Sequence, residues 1–74
     1  METKNSRRPK IVMARIYVDD PDVIFAYNGM FWFPMKRKDV EDVVVPMVIV
    51  VANGKKYVCR DTTLKEALNY EKCV

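Results

Sequence analysis

Apolar residues fall in short runs of strand length, separated by turn residues and charged stretches. From Ile11 to Val18, the positions Val12, Ala14, Ile16 and Val18 form one apolar face, and Ile11, Met13, Arg15 and Tyr17 form a mixed one. Asp19-Asp20-Pro21-Asp22 then supplies turn chemistry and is expected to end this first strand. Val23 to Phe33 reads as a β-hairpin about Asn28-Gly29, a dipeptide suited to the two positive φ values of a type I′ turn. A two-residue turn puts Tyr27 opposite Met30 and Phe25 opposite Trp32. Val23, Phe25, Tyr27, Met30 and Trp32 then share one face; Ile24, Ala26, Phe31 and Phe33 share the other. Both faces are apolar, so both are expected to be covered.

A second hairpin follows the same plan. Met47 to Ala52 and Lys55 to Arg60 flank Asn53-Gly54. Pro46 cannot donate to a ladder, so pairing is expected to begin after it or at an edge. An apolar edge strand at Val48 to Ala52 would also invite strand addition by another chain. Thr63 with Glu66 three residues on is a capping box that predicts a C-terminal helix of about nine residues, with Leu64, Ala67 and Leu68 on its apolar stripe. So short a helix needs a sheet to pack on. VIFAYNGMFWF at 23–33 aligns with VIVVANGKKYV at 48–58. Two degenerate ββα units would explain this, with a helical turn near Asp39 to Val44; so would two hairpins made alike by one turn type. β-branched Val40, Val43, Val44 and Val45 argue against a robust middle helix.

The pattern predicts an α+β fold: a small antiparallel β-sheet of four to five strands, built from two Asn-Gly hairpins, with the C-terminal α-helix packed on one face. Val12, Ile16, Ile24, Phe31, Phe33, Ile49, Val51, Val58, Leu64 and Leu68 are the expected core. A chain of 74 residues has room for one domain. Residues 1–10 read as a disordered basic tail, because only Met1 among them is apolar, and residues 11–74 as the domain.

Charge changes the picture in one respect. The net charge is +3, and the tail, with Lys4, Arg7, Arg8 and Lys10 against Glu2, holds all of it. The body has nine basic and nine acidic residues and is formally neutral. Phosphate binding wants a basic surface on the body or a well-placed arm, so the high isoelectric point alone does not point to nucleic acid. The body is also unusually apolar: 36 of its 64 residues. A domain this small has little interior to hide them, which suggests a face for self-association or for a partner.

Candidate chemistry is sparse. Histidine is absent, which removes the commonest general base and zinc partner. Cys59 and Cys73 lack an activating neighbour and are expected to be reduced and inert, with a Cys59–Cys73 disulfide as the alternative that sequence alone does not support. Asp19, Asp20 and Asp22 lack the spacing of a calcium loop, and both glycines belong to turns rather than to a phosphate cradle. No enzyme activity, cofactor or metal is expected. The polar N-terminus and the lack of a long apolar run predict a cytoplasmic protein without a membrane span.

Aromatic residues, Met and Arg are enriched at the cores of protein interfaces, and here they concentrate between Phe25 and Arg37. The favoured reading is a protein-interaction module, a homodimer or a protein with another partner, acting through Phe25, Tyr27, Met30 and Trp32. It would suit a small accessory protein, regulator or inhibitor of the kind that viruses and mobile elements encode. The alternative is nucleic-acid binding by the tail (Arg7, Arg8, Lys10) and by Lys36, Arg37 and Lys38, with adjacent aromatics stacking on bases.

Overall fold

The computed structural model describes residues 10–70. Five strands and two single-turn helices follow in the order β1 (Met13–Tyr17), β2 (Asp20–Tyr27), β3 (Trp32–Lys36), α1 (Arg37–Val40), β4 (Val44–Ala52), β5 (Lys55–Thr63) and α2 (Leu64–Ala67). The strands form one sheet in the spatial order β3-β2-β1-β4-β5.

The expected antiparallel sheet is in fact mixed. β1 and β4 pair in parallel, with Ala14 opposite Val48 and Ile16 opposite Val50. The other neighbours are antiparallel hairpins. A parallel pair needs a crossover connection, and the run from β3 through α1 to β4 supplies it. The charged stretch at Arg37 to Asp42, between two strand-forming segments, is where the chain leaves the sheet and returns.

The second hairpin forms as its turn chemistry predicts. Asn53 and Gly54 take φ of 53° and 76°, and Ala52 pairs with Lys55. The first does not close as tightly. Gly29 has φ of 100°, but Asn28 is not left-handed among the positive-φ residues. The Asn28 Oδ1 instead accepts from the backbone N–H of Met30 at 2.8 Å and of Phe31 at 3.0 Å. This Asx turn widens the loop to residues 28–31, and Tyr27 pairs with Trp32 rather than with Met30. The pairing has slipped by an even number of residues, so Phe25, Tyr27 and Trp32 still share a face.

Asp20-Pro21-Asp22 lies inside β2 rather than in the turn. Tyr17 pairs with Asp20, the turn is Val18-Asp19, and the register shifts between Ile16 and Tyr17. Proline is tolerated at such a bulge. Pro34 sits on β3, an edge strand, where a missing donor is harmless. Pro46 interrupts β4 between the pairs Val45–Thr62 and Met47–Arg60, where Asp61 on β5 adopts φ of 49°.

One face of the sheet is closed. Ala14, Ile16, Ile24, Val48 and Val50 are fully buried on it, and Leu64 and Ala67 of α2 and Val40 of α1 join their cluster. Tyr57 and Tyr70 pack at its margin with ring centroids 4.8 Å apart. The backbone N–H of Lys65 donates to the Glu41 carbonyl, tying the segment after α1 to α2. The capping box is present in part: Thr63 Oγ1 accepts from the Glu66 N–H at 3.2 Å. The helix it opens is one turn, not nine residues, within the described chain.

The expected core needs correction on β4 and β5. Val48 and Val50 are buried, whereas Ile49, Val51 and Val58 lie half-buried on the opposite face. Both faces of β4 are apolar, so its sequence does not choose between them. The choice follows from the register against β1, which sets Val48 and Val50 beside Ala14 and Ile16. Phe31 is in the loop and 58% exposed, because the widened turn removes it from the strand. β4 is also an interior strand, so strand addition at Val48 to Ala52 is excluded. The edges are β3, with Pro34 and Lys36, and β5, with Lys55, Lys56 and Arg60, residues that discourage edge pairing.

Candidate interaction face

The second face of the sheet has three rows of side chains, fixed by the pairing register. Across β3, β2, β1, β4 and β5 the first reads Trp32, Tyr27, Met13, Met47, Arg60. The second reads Pro34, Phe25, Arg15, Ile49, Val58. The third holds Lys36 and Val23 on one side and Val51 and Lys56 on the other, with Tyr17 between them at the bulge. Each row exists because alternate residues of a strand point the same way and paired residues share a face.

This face is open. Phe25 is 41% exposed, Trp32 40%, and Tyr17 and Val23 38% each. Residues adjacent in sequence on the closed face, Ile24 and Ile16, have no exposure. The aromatic side chains gather on β2 and β3. Tyr27 and Trp32 pack with centroids 5.2 Å apart at 38°. Aliphatic side chains occupy the half over β4.

Arg15 stands at the centre. Its guanidinium carbon lies 5.1 Å from the centroid of the Trp32 ring, a cation–π contact. Its Nε is buried without a hydrogen-bond partner. Lys36, Lys56 and Arg60 occupy three corners, and Trp32 the fourth. The only carboxylate at these register positions is Asp20, opposite Tyr17 at the hairpin end.

Of the expected interaction residues, Phe25, Tyr27 and Trp32 come together here. Met30 does not: it is 80% exposed in the loop. Sequence reasoning missed Arg15, Met13, Met47, Ile49, Val51 and Val58. The mixed alternation of β1, with Arg15 between Met13 and Tyr17, was the available signal for an uncovered face.

The expected nucleic-acid residues are scattered. Arg7 and Arg8 lie outside the described residues, and Lys10 is exposed. Arg37 is engaged internally. Its Nε donates to the Pro21 carbonyl at 2.8 Å, its Nη1 pairs with Glu41 at 2.8 Å, and Asp22 is 3.9 Å away. Lys36 and Lys38 remain exposed beside an open cleft of about 380 Å³ lined by Asp22, Val23 and Arg37 as well.

Cys59 is buried in the core cluster and is disulfide-bonded, which corrects the expected reduced thiol. Pairing depends on proximity in space, which sequence spacing does not reveal. Cys73 lies outside the described residues. Among the described residues there is no group of three or more His, Cys, Asp or Glu arranged to hold a metal. No helix among them is long and apolar enough to cross a membrane.

Comparison with protein-family models, with curated proteins and with solved structures finds no match.

Proposed function

We propose that the chain is a non-enzymatic protein-interaction module: a small accessory, regulatory or inhibitory protein that works through the open sheet face, against another protein or a second copy. The observation that carries this reading is the contrast between the two faces. Ile24 and Phe25 are neighbours on β2, one fully buried and the other 41% exposed among aromatic and aliphatic side chains. A contiguous apolar face with a charged rim and a central arginine has the anatomy of an interface core. In this reading α2 is the C-terminal cover of the opposite face, supported by the burial of Leu64 and Ala67.

Nucleic-acid binding is the second reading, supported by exposed Lys36, Lys56 and Arg60 around Phe25 and Trp32. It is weakened by occupied rings. Tyr27 and Trp32 pack on each other and Arg15 covers Trp32, so fewer ring faces are free to stack on bases.

The test is capture on immobilised protein, with solution mass by light scattering, for wild type and Trp32→Ala. A captured protein or a dimer that resists high salt and is lost with Trp32→Ala supports the reading. Steeply salt-dependent retention on a nucleic-acid column refutes it if the retention survives Trp32→Ala and is lost on neutralising Lys36 and Lys38.

A further inference from the structure

The open face is chemically one-sided. Arg15, Lys36, Lys56 and Arg60 lie on it against a single carboxylate, Asp20, at the hairpin end. The body as a whole is formally neutral, so the acidic side chains have been placed elsewhere. Asp39, Glu41 and Asp42 are in or after α1 with Arg37 and Lys38, Glu66 is in α2 with Lys65, Asp19 is in the β1–β2 turn, Asp61 is on β5, and Asp22 lines the cleft beside Lys36 and Arg37. At the register positions of the open face, the four cations face that one carboxylate.

The central arginine is the more telling feature. Arg15 leans over Trp32 with its Nε buried and unpartnered. A guanidinium at the middle of an apolar patch loses water when the patch is covered, so its partner must return a hydrogen-bonding anion. A planar fork of donors is best met by a carboxylate.

Extent argues in the same direction. Five strands about 4.8 Å apart and three rows about 7 Å apart give a face of about 24 by 21 Å, about 500 Å² in projection. That is the size of a functional patch on a monomer, about 300–600 Å². Obligate homodimers bury more, about 1,000 Å² or above on each subunit. A second copy would also set one cationic face against another, with like charges desolvated.

We infer that this face receives an acidic protein segment whose apolar side chains cover Phe25 and Ile49 and whose carboxylate pairs with Arg15, rather than a second copy of the chain. The inference rests on the protein-interaction reading and narrows it. Lys36, Lys56 and Arg60 then act at the rim, guiding the acidic partner and suppressing basic ones.

The test is selection of random dodecapeptides displayed on phage against the wild-type chain, with binding followed through the emission of Trp32, the one tryptophan present. The expected winners carry net negative charge, with Asp or Glu next to aromatic or aliphatic residues. Changing that peptide carboxylate to its amide is expected to weaken binding at least about 10-fold to wild type and little to Arg15→Met. Lys56→Glu, at an exposed corner, weakens the same peptides and serves if Arg15→Met does not fold. Neutral or basic winners lost with Trp32→Ala would overturn the acidic partner and leave the interaction reading standing. A dimer dissociated by Trp32→Ala would do the same, with a second copy as the occupant. No enriched peptide, or tighter binding of oligouridylate than of any peptide, would overturn both.

Discussion

Ile24 and Phe25 are adjacent on β2 and face opposite ways, so truncating each to alanine probes one face at a time. Ile24 is fully buried among the side chains of the closed face. Removing its branched side chain there leaves a cavity, and such changes cost about 2–5 kcal/mol; about 3 kcal/mol is expected. Phe25 is 41% exposed, and its removal opens to solvent rather than to a void. With somewhat over half its side chain withdrawn from water, at about 25 cal/mol per Å², the loss is about 1–1.5 kcal/mol. A domain of this size holds about 3–10 kcal/mol in total, so Ile24→Ala is expected to leave a marginal or unfolded protein. Urea unfolding read by Trp32 emission and far-ultraviolet circular dichroism measures both. With a slope of about 1 kcal/mol per M, the midpoints should fall by about 3 M and about 1 M respectively. Two protein concentrations tenfold apart complete the design. Equal losses for the two variants would refute the open face. A wild-type midpoint that rises with concentration and stops doing so in Phe25→Ala would make this face a homodimer interface and overturn the acidic partner instead.

Thr63→Ala removes the acceptor of the Glu66 N–H and is expected to cost about 1 kcal/mol by chemical unfolding, with Thr63→Ser near neutral. Gly54→Ala meets no atom within 4 Å, so its effect comes from φ of +76° alone. It should cost about 1 kcal/mol, seen as a fall of several degrees in Tm. Arg37→Ala breaks the contacts to Pro21 and Glu41 and should destabilise by about 1–2 kcal/mol, while Lys36→Ala and Lys38→Ala stay within about 0.5 kcal/mol. Alkylation of the unfolded, unreduced protein followed by peptide mapping should leave Cys59 unmodified; a labelled Cys59 would contradict its disulfide.

Local chemistry in this chain was legible from residue types. Asn53-Gly54 specified a two-residue turn because few dipeptides accept two left-handed positions, and the observed φ values of 53° and 76° follow. Thr63 and Glu66 marked a helix start because the threonine hydroxyl satisfies an orphan N–H. Alternation on β2 put Phe25 and Tyr27 on one face and the hairpin brought Trp32 of β3 to it, which survived a slip in register because the slip was even. Asn28-Gly29 shows the limit of such reasoning. The same dipeptide made a wider loop, since the Asn28 side chain took the N–H groups of Met30 and Phe31.

What the tertiary structure decided was which apolar face is inside. β4 carries valine or isoleucine on both sides, so its own pattern is degenerate, and burial of Val48 and Val50 rather than Ile49 and Val51 came from parallel pairing with β1. That pairing joins residues more than thirty positions apart through a crossover, and no local turn encodes it. The sequence by itself thus determined the strands, one tight turn, the helix cap and the neighbours on each strand face. Only the assembled sheet, by setting long-range register and leaving one side uncovered, brought Arg15 over Trp32 and gathered the cations around an open apolar face.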